Sequence, residues 1–398
     1  MTSVIDDRLV SSYGRESPRP GLQRAARLYR ALLAGESAAP TQIAIAGTNG
    51  KGSTVAALEH ACLGIGLRPL TFTSPHLRDV RERIRVNGQM LPEAFWLTSL
   101  DRIAGACRDL GLDISYFEAI FGVALLACRA HEPQVAIWEA GLGGRLDAIN
   151  VIESFECVVL TSVGLDHCEM LGNSTLQIAR EKVALARRLS PLVLGDVESQ
   201  VLDELLPELH SQRVLVMDAR ERLPDRWSAS LDQLQQAMPW LTMVSARAVI
   251  WALVALDRWQ PDDIDWLTLA APRGRMDRSV EPWIVDVGHN PDAARNLCRT
   301  LASQGSPELQ LCFNALQRKD VMAMAAELAR YEHWQRVWIY DDGGLEFHPA
   351  DGLVELFRRA GFQTDTIKGQ DFPASLPKVP MMIFGSFRLI AQVLSQPQ

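Results

Sequence analysis

The sequence predicts an α/β protein in two parts, and three observations carry that prediction. Short apolar runs rich in Val and Ile recur between longer amphipathic stretches, the series breaks off and starts again late in the chain, and a small Pro- and Gly-bearing segment lies between the two series. Such runs suit strands buried on both faces of a parallel sheet, and the amphipathic stretches between them are its crossover helices. The first series is 42–46, 69–73, 135–138, 158–161 and 192–194, with helical patterns at 22–33 and 54–65. The second is 283–287, 309–313, 337–340 and 381–384. Between them, Ala271-Pro272-Arg273-Gly274-Arg275-Met276 reads as a linker at 271–276, dividing a domain of residues 1–270 from one of 277–398.

Length and composition agree. A chain of 398 residues is long enough for two or three domains, each with its own core. With 47% hydrophobic and 22% charged residues it is neither disordered nor fibrous. Forty Lys and Arg against 48 Asp and Glu leave a net charge of -8, which argues against a general nucleic-acid binder. Any anionic ligand must therefore be held by local positive charge. The seven cysteines are odd in number and form no C-x-x-C pair, as expected of buried thiols in a reducing compartment. The N-terminal stretch carries Asp6 and Asp7 without an apolar signal region, and no apolar run approaches the ~20 residues of a membrane span. The expectation is a soluble, cytoplasmic chain with no membrane partner.

Chemistry concentrates at strand ends. Ala46-Gly47-Thr48-Asn49-Gly50-Lys51-Gly52-Ser53-Thr54 lies between a strand-like run and a helix. Its glycines let backbone N–H groups crowd around a phosphate, Lys51 can reach the β- and γ-phosphates, and Ser53 or Thr54 offers a hydroxyl towards Mg2+. It departs from the standard phosphate loop in having Ile45 where the first glycine would stand. Gly141-Leu142-Gly143-Gly144-Arg145-Leu146-Asp147 fails the dinucleotide fingerprint, because Leu146 takes the third glycine position.

Glu139 follows an apolar run, Ser74 another, and His167 closes Thr161-Ser162-Val163-Gly164-Leu165-Asp166-His167. Three strand ends beside a phosphate loop can converge on one metal, although a lone histidine is more often structural and Mg2+ prefers oxygen ligands. Arg81, Arg83 and Arg85 alternate, so on a strand they would share one face, either as an anion-binding surface or as a solvated one. In the second series Asp286, His289 and Asn290 follow one run and Gly385-Ser386-Phe387 follows another. Singly these read as a helix cap and a turn; together they give that sheet a polar edge. Lys182, in Arg180-Glu181-Lys182, reads by itself as a solvated helical lysine.

In this order, the phosphate loop, Thr73-Ser74-Pro75-His76-Leu77, 139–148, Leu165-Asp166-His167, Arg180-Glu181-Lys182 and Asp286-Val287-Gly288-His289-Asn290-Pro291 resemble the bacterial dihydrofolate synthase/folylpolyglutamate synthase family of the Mur-ligase superfamily. The likeness runs over nearly the whole chain. It implies a phosphate-loop mononucleotide-binding domain with a mostly parallel sheet, followed by a smaller Rossmann-like α/β domain, with the active site in a cleft between them. It also implies a monomer in which ATP phosphorylates a dihydropteroate or folate carboxylate and L-glutamate then displaces phosphate.

The roles the resemblance implies are these. Lys51, Lys182 and His167 are catalytic. The phosphate loop from Gly47 to Thr54, with Arg275, Asp286 and His289, holds ATP. Ser74, Glu139 and His167 hold Mg2+, and Lys182, carbamylated by CO2, helps to hold a second. Arg83, Asp147, Asn290, Ser74 and Ser386 serve the substrates, Asp147 in the pterin pocket and Ser386 on the glutamate side. K+ is a further implied cofactor. Three departures stand out: Trp240 to Ala248 lacks the family's Gln-x-x-Asn-Ala, Met276 replaces the Phe of Gly-Arg-Phe, and Ile149 replaces the Thr of Ala-Thr-Asn. The competing readings are a sibling ligase acting on a non-folate acid and a nucleotide-gated binding protein without ligation.

Overall fold

The computed structural model describes residues 4–14, 21–33, 40–256, 260–270, 272–305 and 307–395. Ala271, the first residue of the expected linker, and the first three residues of the N-terminal domain lie outside that set. Contacts divide the chain into two units. Unit 1 is Met1–Ala237 with Met243–Leu269, and unit 2 is Met238–Thr242 with Ala270–Gln398. The five residues Met238–Thr242 join unit 2 because Trp240 packs on its core and accepts a hydrogen bond from Asn296 Nδ2 through its carbonyl (2.9 Å).

Among the described residues, unit 1 holds eight strands. They are β1 (Thr41–Ala46), β2 (Pro69–Phe72), β3 (Ile84–Val86), β4 (Gln89–Met90), β5 (Val135–Glu139), β6 (Cys157–Ser162), β7 (Pro191–Asp196) and β8 (Leu215–Asp218), in the order β4-β3-β2-β5-β1-β6-β7-β8. From β2 to β8 the neighbours run parallel, and β2 and β5 are buried throughout, as continuous apolar runs require. The alternating arginines allow for a strand over 81–86, but the antiparallel hairpin of β3 with β4 was not anticipated. It forms because Asn87 (φ 52°) and Gly88 (φ 74°) both take left-handed conformations, the requirement of a two-residue hairpin turn.

That hairpin corrects the arginine expectation. Val80–Arg83 is a 3-10 turn capped by Asp79, so Arg81, Arg83 and Arg85 do not share a strand face. Arg81 pairs with Asp79, Arg85 pairs with Glu59 at 2.6 Å, and Arg83 is fully buried, donating from Nε to His76 Nδ1 at 2.9 Å.

Unit 2 holds β9 (Asp277–Val280), β10 (Trp283–Asp286), β11 (Leu309–Phe313), β12 (Trp334–Asp341), β13 (Thr364–Lys368) and β14 (Met381–Phe384), in the order β13-β12-β11-β14-β10-β9. All neighbours are parallel except β9 with β10. Both units are therefore α/β with mostly parallel sheets. In unit 1, β1 lies between β5 and β6 while the chain leaves it for β2, so the carboxyl ends of β1, β5 and β6 meet where the winding reverses. That is where open α/β sheets bind ligands.

Candidate active site

β1 delivers the phosphate loop. Gly50 (φ 85°) turns the chain into a helix that begins at Lys51. Gly47 has no room for a side chain, since a Cβ there would stand 1.9 Å from Thr161 Oγ1 on β6. Lys51 Nζ donates to the carbonyls of Gly47 (2.9 Å) and Thr48 (3.2 Å). A second lysine meets the same carbonyl: Lys182 Nζ donates to Gly47 O at 3.0 Å.

Lys182 is not the solvated lysine its local sequence suggested. Its helix, Thr175–Val183, is pressed against the loop 141–147. A Cβ on Gly144 would lie 2.7 Å from Lys182 O, and Arg145 N donates to Glu181 O at 2.8 Å. The glycines of that loop thus serve close helix packing. Only 4% of Lys182 is exposed. Burial, with Lys51 as the second cause, pushes its amine down to about 7, against the opposing pull of Asp166 and Asp147.

Glu139 ends β5 in register with Ile45 on β1 and is 3% exposed. Its Oε2 accepts from Ser74 N at 3.3 Å, and a Cβ on Gly52 would be 3.8 Å from the same oxygen. Thr54 Oγ1, in the first turn of the following helix, is buried and has no hydrogen-bond partner among the described residues. Unit 1 thus brings Ser74, Glu139, Lys51 and Lys182 to one loop.

Two other expected residues are engaged in their own loops. Asp147 caps the turn Ala148–Val151, accepting from Ile149 N (3.1 Å) and Leu142 N (2.9 Å). Burial raises its carboxyl to about 6 despite those bonds. His167 has φ 52° and precedes the helix Cys168–Leu171, with Nε2 3.9 Å from Asp166 Oδ1 and Nδ1 3.7 Å from Glu169 Oε1.

In unit 2, Asp286 ends β10 and accepts from Met276 N (3.1 Å) and Gly288 N (2.8 Å). Burial raises its carboxyl, and Arg275, with Nη1 4.0 Å from Oδ1, opposes the rise. The Arg275 guanidinium also lies 5.8 Å from the Phe387 ring, as does the His289 ring. Asn290 caps the helix Pro291–Ser303 and Ser386 caps Phe387–Leu394. Phe387, which joins Arg275 to His289, was not singled out as a site residue; its only sequence signal is its place after a strand-end Gly-Ser.

No protein-family model matches the chain. A probable bifunctional folylpolyglutamate synthase/dihydropteroate synthase of Halobacterium salinarum is 31% identical over 380 residues, 89% of this chain but 46% of that protein. The dihydrofolate synthase/folylpolyglutamate synthase of Escherichia coli is 31% identical over 325 residues, covering 77% of this chain and 75% of its own. The chain belongs to the dihydrofolate synthase/folylpolyglutamate synthase family. A solved bifunctional folylpolyglutamate synthase/dihydrofolate synthase from Yersinia pestis, complexed with AMPPNP and Mn ion, superposes with a TM-score of 0.79 at 26% identity, covering 99% of this chain and 98% of that one.

For this folylpolyglutamate synthase relative, the loop's chemistry suits a hard divalent cation. The Glu139 carboxylate and the unpartnered Thr54 hydroxyl are oxygen donors of the class Mg2+ selects. Among the described residues, no three His, Cys, Asp or Glu side chains form a metal cluster, and no helix is long and apolar enough to cross a membrane.

Proposed function

We propose that this chain is a cytoplasmic ATP-dependent ligase that joins L-glutamate to dihydropteroate, to (tetrahydro)folate, or to both. The observation that carries the reading is the meeting of Lys51 and Lys182 on the Gly47 carbonyl, beside the buried Glu139. A carboxylate is a poor electrophile. Phosphorylation activates it: a carboxylate oxygen attacks the γ-phosphorus, ADP leaves with the bonding electrons, and an acyl phosphate forms. The glutamate amine then attacks the acyl carbon, loses a proton and expels phosphate. Phosphoryl transfer asks the protein for positioning and positive charge, which Lys51 provides by exchanging its backbone carbonyl partners for phosphate oxygens.

By family likeness Ser74, Glu139 and His167 would hold Mg2+, with the hydroxyl of Ser53 or Thr54 offered from the phosphate loop. The bound ion would neutralise charge on the phosphates. As an ammonium Lys182 cannot ligate a cation, and its neutral nitrogen is a poor match for Mg2+, which selects oxygen donors. We extend the proposal to its carbamate: the ammonium first loses one proton, the lone pair of the neutral amine adds to CO2, and a second proton leaves the nitrogen, so that a cation becomes an anion with two oxygen donors. Burial favours the neutral amine that this addition needs. Arg83 and Asp147 belong to the acid's binding region in this reading. In unit 2, Arg275, Asp286, His289, Asn290 and Ser386 belong to nucleotide and glutamate binding, where the Arg275 guanidinium supplies positive charge for an anionic group.

Phosphate release from ATP should require both the acid and L-glutamate, and mass spectrometry should find one added glutamyl unit on dihydropteroate, tetrahydrofolate or each. Release that ignores the acid would refute ligation. Exchanging K+ for Na+ in the same assay tests the monovalent ion. Glu139→Gln and His167→Ala should each raise the Mg2+ concentration for half activity by roughly 10-fold or more, as loss of a ligand does. An unchanged requirement removes that residue from the metal set.

A further inference from the structure

The phosphate loop is clamped from β6 by two hydroxyls to which neither the sequence nor the family likeness assigned a role. Thr161 Oγ1 lies 2.6 Å from Asn49 O and 3.2 Å from Ala46 O, donating its one proton to the nearer. Ser162 Oγ accepts from Asn49 N at 2.9 Å and lies 3.1 Å from Asn49 O. Next to them Thr48 N donates to Ser162 O (2.9 Å), Gly164 N donates to Thr48 Oγ1 (3.0 Å), and Thr48 Oγ1 lies 3.1 Å from Gly164 O. Both ends of the Asn49 peptide residue are therefore tied to β6, one step before Gly50 starts the helix.

The clamp is rigid. Thr161 is fully buried in a strand paired to β1 on one side and β7 on the other. A Cβ on Gly195 of β7 would stand 2.2 Å from Thr161 O, and one on Gly47 would stand 1.9 Å from Thr161 Oγ1. Gly47 thus leaves room for the Thr161 hydroxyl, and Gly195 leaves room for its backbone carbonyl.

We propose that Thr161 and Ser162 are positioning residues for the nucleotide. By holding the Asn49 carbonyl on β6 they keep an electronegative oxygen out of the space where N–H groups of the helix start would face phosphate. A carbonyl turned into that space would repel the anion, and the N–H groups of a helix's first turn are the groups that bind it. The inference rests on the nucleotide reading above. It goes beyond that reading by assigning the loop's shape to β6 side chains that touch no phosphate.

The test is ADP binding by calorimetry, with steady-state kinetics, for Thr161→Val, Thr161→Ser and Ser162→Ala. Thr161→Val keeps the shape and removes the nearer donor, leaving the part-buried Asn49 carbonyl only the longer contact to Ser162 Oγ on β6. ADP affinity should fall by roughly 10-fold, the scale of one lost hydrogen bond. KM for ATP should rise in parallel while kcat at saturating ATP stays within a few-fold and KM for the acid is unchanged. Thr161→Ser should restore affinity, which a purely structural loss would not. If Thr161→Val does not fold, Ser162→Ala, at a partly exposed site, decides by the same split. Wild-type affinity for ADP in the folded variants overturns the inference alone. Failure of the wild-type protein itself to bind ADP overturns the nucleotide reading, and the inference with it.

Discussion

Lys51→Ala should lower ATP turnover by at least ~10²-fold, the scale of removing one preorganised charge from a developing anion. Lys51 is the first residue of its helix, and its ammonium donates to backbone carbonyls of its own loop, Gly47 O and Thr48 O. The substitution should therefore leave the fold in place, which thermal unfolding would verify. The loss should fall on kcat as well as on nucleotide affinity, because the charge matters most as the phosphoryl group moves. Lys51 is also the like charge second in weight to burial in depressing Lys182, so its removal should let the Lys182 pKa rise above about 7. Near-normal turnover in Lys51→Ala would remove the nucleotide assignment from this loop.

Lys182→Ala should be nearly inactive, and the pattern of rescue should show why. A carbamate contributes two oxygens, so short carboxylates such as acetate should restore part of the activity. If the lysine acts only as an ammonium on Gly47 O, small amines should rescue and carboxylates should not. Full activity without additives rejects both roles.

Stability supplies an independent readout. The amine titrates near 10.5 when unfolded and near 7 when folded, so between those values the unfolded chain binds the extra proton. Stability should therefore rise with pH from about 7 to about 10.5, and below about 7 the buried charge should be a constant penalty. Chemical denaturation of the unmodified protein across that window should show the slope, and Lys182→Met should flatten it.

Much of this was legible in the chain itself. The expected strands at 309–313 and 381–384 appear at those bounds as β11 and β14, and the phosphate loop lies where its glycines and the Ile45 run put it. The hairpin at Asn87-Gly88 carried a readable turn signal that the alternating arginines masked. β13 was passed over because its run, Thr-Asp-Thr-Ile-Lys, is mostly polar, as an edge strand can be.

What the sequence by itself determined is the set of local choices: strand where apolar runs are short, helix where they are amphipathic, a tight turn where glycine allows positive φ. Those depend on near neighbours and are written in spacing. Only the tertiary structure decided burial and charge. Lys182 lies in an ordinary amphipathic helix, yet Gly144 lets that helix close over it; Arg83 sits in a polar stretch, yet is wholly buried against His76 and the Tyr116 ring. Thr161 and Ser162 end one strand and are aimed at the loop of another 112 or more residues earlier. A side chain's exposure and its polar partners depend on residues far away in the chain, and spacing along one segment carries no record of them.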